Sequence, residues 1–159
     1  MKIGRWAATL VVAAVLVTAC AGPSGDAPSE ALRHDLGPLV SRFPGLGSPA
    51  EVAWTSWHNN SGRSAGPGPA TYWIDAVVDL EPRRAEELRA TASDSGVPSV
   101  HDALRPHLPP GPFLAGPELN AAISGDPALE PGVPGPEWTA TGYLEATGTR
   151  LVLNAIKPA

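Results

Sequence analysis

The stretch Thr71-Tyr72-Trp73-Ile74-Asp75-Ala76-Val77-Val78-Asp79-Leu80 decides the fold. It holds β-branched and aromatic residues without an internal Gly or Pro, and it is bounded by Pro69 and Pro82, so it reads as a strand. Side chains alternate across a strand. Tyr72, Ile74, Ala76, Val78 and Leu80 therefore make one apolar face, while Thr71, Trp73, Asp75, Val77 and Asp79 make a mixed face expected to be partly wet. An apolar sheet face must be covered by a second layer, and the neighbouring segments supply it.

Upstream, residues 51–58 (EVAWTSWH) predict a strand, joined to the first by the turn-rich segment 59–70. Trp54 and Trp57 stand three apart and cannot share a face of a regular strand, so one of them points away from the core. Downstream, Pro82 suits the first turn of a helix running to about residue 92, since its missing N–H would have no partner there. Ala85, Leu88 and Ala92 give that helix a narrow apolar stripe. Arg83 and Arg84 sit at the wrong end for the helix dipole and are expected to pair with Glu86, Glu87 or acids of the sheet.

Residues 138–146 and 149–156 flank Thr147-Gly148 as a hairpin. Trp138, Ala140, Leu144 and Ala146 share one face of it, and Leu151, Leu153 and Ala155 share one face of the return strand. Near the other end, residues 29–42 predict a short helix with Ser29 as cap and Leu32, Leu36, Leu39, Val40 and Phe43 on one side, interrupted at Gly37-Pro38. Residues 97–136 hold ten prolines and five glycines in forty positions. Each proline removes a ladder donor, so no regular sheet is expected there, only short turns at 99–104 and 117–124. So long an irregular span is a functional loop, a wrapped cover over the sheet or partly disordered; the cover is preferred, because Val100, Leu104, Leu108, Phe113, Leu114, Leu119 and Ile123 need burial. The expected class is α+β: about four mainly antiparallel strands, helices on one face, and a long Pro/Gly-rich irregular segment.

At the start of the chain, Lys2 and Arg5 precede fourteen uncharged, mostly apolar residues, 6–19, and then small residues. That is too short to span a bilayer, which takes about 20 apolar residues, and has the length of a signal-peptide apolar region. Val17-Thr18-Ala19-Cys20 ends it at the only cysteine of the chain. These four residues resemble the lipobox of bacterial lipoproteins. The resemblance implies acylation of the Cys20 thiol, cleavage before it and acylation of the new amino end. Two or three acyl chains make a stable anchor where one is marginal. Ala21 follows, so nothing resembles the Asp that retains diderm lipoproteins in the inner membrane. Ala19-Cys20-Ala21 also satisfies the small-x-small rule of ordinary signal cleavage, which would release a soluble protein. On the lipobox reading, residues 1–19 are the signal, 20–28 (CAGPSGDAP) a tether, and 29–159 one small α+β domain at the extracytoplasmic face of the cell membrane.

All sixteen acidic residues follow Cys20; without Lys2 and Arg5, nine basic residues remain, a charge near −7. A nucleic-acid partner is excluded by that sign, and an anionic bilayer would attract the chain only through its lipid. With Cys20 acylated there is no disulfide, so packing alone holds the domain. The scarcity of lysine and abundance of Ala, Gly and Pro resemble actinobacterial lipoproteins, a likeness that carries no functional residue besides Cys20.

Chemistry is sparse. Gly62-Arg63-Ser64-Ala65-Gly66 matches G-x-S-x-G, but Pro67-Gly68-Pro69 follows where a nucleophile elbow needs a helix. His34, His58, His101 and His107 form no metal-ligand spacing, and no metal or cofactor is expected. Asp75 and Asp79 lie about 13 Å apart along a strand, beyond the roughly 5–9.5 Å of a glycosidase pair. Aromatic residues on an exposed sheet face bind sugars, apolar groups or a partner protein, which makes Trp73, Asp75 and Trp57 the candidate binding face. The preferred reading is a non-enzymatic binding or accessory module of the envelope, meeting a partner protein or small ligand. The alternative is a small extracytoplasmic hydrolase, signalled by a deep cleft gathering His58, Asp75 and Ser64.

Overall fold

The computed structural model describes residues 31–59, 69–124 and 137–159. The signal, the tether, Cys20 and the G-x-S-x-G stretch lie outside the described residues. The chain order is α1 (Gly37–Arg42), a 3-10 turn (Pro44–Leu46), β1 (Glu51–His58), β2 (Tyr72–Asp79), α2 (Pro82–Arg89), β3 (Asp94–Gly96), a 3-10 segment (Asp102–His107), β4 (Phe113–Ala115), α3 (Pro117–Ser124), β5 (Thr139–Glu145) and β6 (Arg150–Lys157). One six-stranded sheet runs β1-β2-β6-β5-β4-β3 with every neighbouring pair antiparallel.

The class is therefore α+β, with six strands where four were expected. The two missed strands, β3 and β4, have three residues each. Pro112 and Pro117 flank β4 rather than interrupt it, so Phe113 and Leu114 pair with both neighbours and Ala115 with β3.

The face led by Ile74, Ala76 and Val78 carries the main core. Leu39 of α1, Ala85 and Leu88 of α2, and Leu119 and Ile123 of α3 pack on it, together with Leu144, Leu151 and Leu153. Gly142 of β5 lets α3 approach closely, because a Cβ there would run into Ile123. The opposite face is covered as well. Leu104, fully buried in the 3-10 segment, closes over Ala53, Val77, Phe113 and Val152, with Val100, Leu108 and Tyr143 packed around them. The expected cover thus forms in part: residues up to Phe113 line this second face, whereas α3 carries Leu119 and Ile123 to the first.

The helix expected over 29–42 is shorter. Residues 29 and 30, with the expected cap Ser29, lie outside the described residues; within 31–42, Gly37–Arg42 is helical, with Pro38 in its first turn. Before it the chain is an extended strap along β1, where Arg33 and Trp54 exchange both backbone hydrogen bonds in antiparallel sense. Leu32 packs with the second face and Leu39 with the first, so the leucine spacing serves a strap around the sheet edge, not one helix stripe. Arg33 lies 4.2 Å over the Trp54 ring, and Trp54 Nε1 donates to Asp35 O. That seals the outer edge of β1 over part of its length.

Candidate functional site

Alternation and register bring the three predicted binding residues to one face. Trp57 of β1 stands opposite Trp73 of β2, and their rings stack 6.2 Å apart at 12°. Trp54 is buried on the helix-covered face, as the three-residue spacing requires, and Trp57 takes the other side. His101, from the cover, tilts against Trp57 with ring centres 5.2 Å apart. Both tryptophans remain partly exposed. Ile156, the partner of Trp73 on β6, is 38% exposed, and Tyr72, turned to the other face, is 42% exposed. One end of the sheet is thus ringed by aromatic and aliphatic side chains on both faces.

Asp75 is next along β2, and its surroundings differ from the expectation of an open groove. It is buried, with Oδ2 accepting from the His101 backbone N–H and Oδ1 from Asn154 Nδ2, both at 2.7 Å. Asn154 also donates to Ser99 O at 2.8 Å. Burial raises the Asp75 carboxyl above its ordinary range, opposed by the hydrogen bonds from Asn154 and His101 and by the His101 charge. This carboxylate fastens the cover to the sheet; both its oxygens are already engaged. Thr55, its neighbour on β1, is fully buried and its Oγ1 has no hydrogen-bond partner.

Of the cleft residues expected for a hydrolase, Ser64 lies outside the described residues and His58 does not join Asp75. His58 directly follows Trp57, so it projects to the opposite face from Asp75, where its ring meets Tyr72 at 5.3 Å. Asp79 is held separately, accepting from Thr149 Oγ1 at 2.6 Å. At that far end of the second face lies an open depression of about 180 Å³ lined by Glu51, Ala53, Val77, Asp79, His107 and Arg150. Sequence reasoning did not bring these together, because Arg150 and His107 reach it only through the β2–β6 pairing and the cover. His107 and His34 meet edge to face at 6.1 Å. Among the described residues no three His, Cys, Asp or Glu side chains gather as metal ligands, and no helix is long and apolar enough to cross a membrane.

No family model, no curated protein and no solved structure matches this chain. The site therefore rests on its own geometry: a stacked, partly exposed aromatic pair at one end of the sheet, and beside it Asp75 and Asn154 holding the cover.

Proposed function

We propose that the chain is a lipoprotein anchored through Cys20 at the extracytoplasmic face of the cell membrane, acting as a non-enzymatic binding or accessory module of the envelope. The observation that carries the binding role is the Trp57–Trp73 stack. It leaves aromatic surface in contact with solvent while both oxygens of the neighbouring Asp75 are engaged within the domain. Such a surface favours contact area over chemistry: large, rigid amphipathic rings give binding energy at small entropic cost. The hydrolase alternative is less favoured, since His58 and Asp75 point to opposite faces and Leu104 and its neighbours pack over the middle of the second face.

Intact-protein mass measurement and membrane fractionation of wild type against Cys20→Ala test the anchor. Wild type should carry the mass of a diacyl or triacyl group and sediment with membranes; the variant should do neither. Crosslinking in intact envelopes tests the accessory role. A near-stoichiometric adduct seen with wild type and lost with Cys20→Ala is expected, whereas ester or amide hydrolysis by the purified domain, abolished by Asp75→Asn, would overturn the non-enzymatic reading.

A further inference from the structure

We propose that the Trp57/Trp73/Tyr72/Ile156 end of the sheet docks on the lipid–water interface of the membrane that holds the Cys20 anchor, so that the domain stands on its aromatic end. This rests on the lipoprotein reading above and names the partner of the same surface. The direction of the strap is the first argument. It runs antiparallel to β1, with Arg33 opposite Trp54 and His34 Nδ1 against Val52 O at 2.8 Å. Residues before Arg33 therefore approach from the His58 end, where the aromatic ring of side chains lies.

Length is the second argument. Residues 20–30 number eleven, and a relaxed coil of that length spans about 18 Å. The eight-residue strand β1 is about 26 Å long. A tether entering at the His58 end keeps that end within its relaxed reach of the membrane; presenting the Glu51 end instead would stretch the same residues along the whole strand.

Composition is the third. Trp and Tyr settle at the headgroup level because each joins an apolar ring to one polar N–H or O–H. Among the described residues, Glu137 at this end is held by Lys157 Nζ at 2.6 Å, while Glu51, Asp79, Glu81 and Glu145 gather around Arg150 at the far end, in register or beside it. Glu137 thus meets an anionic leaflet already paired with a cation.

The test uses the full lipidated chain reconstituted in vesicles of phosphatidylcholine and phosphatidylglycerol. Acylation blocks Cys20, so single substitutions at exposed positions, Ile156→Cys and Glu86→Cys, each take an environment-sensitive fluorophore without touching the core. The expected result is a blue shift and at least a doubling of emission for the label at 156 when detergent is exchanged for vesicles, with the label at 86 unchanged. In the 156-labelled protein, Trp57→Ser with Trp73→Ser should remove most of that shift; labelled Tyr72→Ser, which leaves the stack intact, should reduce it less. Protein that floats with the vesicles yet gives the same emission at both positions overturns the docking and leaves the lipoprotein reading standing. Protein that does not float overturns both.

Discussion

Asp75 sits under the cover with a neutral backbone donor and a side-chain amide on its two oxygens. Asp75→Asn confronts those donors with one acceptor and one NH2, and should cost about 1–3 kcal/mol in denaturant unfolding at neutral pH. The pH dependence has a definite sign. A carboxyl whose folded pKa is raised holds its proton more tightly in the folded state, so its stabilisation is full below the unfolded value near 3.8 and is lost as pH rises through the folded one. Wild type should therefore gain stability relative to Asp75→Asn between pH 7 and pH 4; a gap that stays constant or shrinks would show that burial does not dominate. That Trp73 and Asp75 share a face was legible from alternation; that Trp57 joins them depends on the β1–β2 register. The engagement of Asp75 was not legible, because its partners lie 26 and 79 residues away along the chain.

The elements with enough residues to show a period were readable. Strand β1 appears at the expected bounds, β2 and the β5–β6 hairpin within a residue, and α2 begins at Pro82 as its imide requires. Strands of three residues, such as β3 and β4, offer no alternation to count, and their pairing is fixed by distant neighbours. Pairing of Arg83 and Arg84 with Glu86, Glu87 or the acids of the sheet was expected, and the helix spacing brings both to Glu87. The wider reach of Arg84 was not: its Nε donates to Gly45 O at 2.7 Å and Nη2 to Ala122 O at 3.1 Å, tying α2 to the 3-10 turn and to α3. That junction is tight, since a Cβ on Gly45 would strike the carbonyls of Ala122 and Ile123, whereas one on Gly37 meets nothing within 4 Å. Gly45→Ala should destabilise by about 1–3 kcal/mol through overpacking, and Gly37→Ala should be neutral or slightly stabilising. Parallel thermal melts of the two variants distinguish backbone crowding from a general intolerance of glycine replacement.

Across the described residues, the sheet is covered on both sides by different means: three short helices on one, a proline-rich segment whose regular part is one 3-10 stretch on the other. Local opening follows regions with few internal hydrogen bonds. The His101 and Leu104 amides should exchange with solvent well before those of β2 and β6 in a native-state hydrogen-exchange series, and uniform exchange across both would argue for a single cooperative unit.

The order of strands in space has a consequence for the order of events in time. β6 is the last of the six strands along the chain, yet it lies between β2 and β5 and joins the β1–β2 pair to the β5–β4–β3 group. Until residues 150–157 arrive, the earlier strands exist as two unconnected sets with their inner edges open. The closing contact spans more than seventy residues, from Asp79 to Arg150, a separation that slows folding. A chain built in this way cannot close its sheet before β6 is available, however far the two earlier sets of strands have paired.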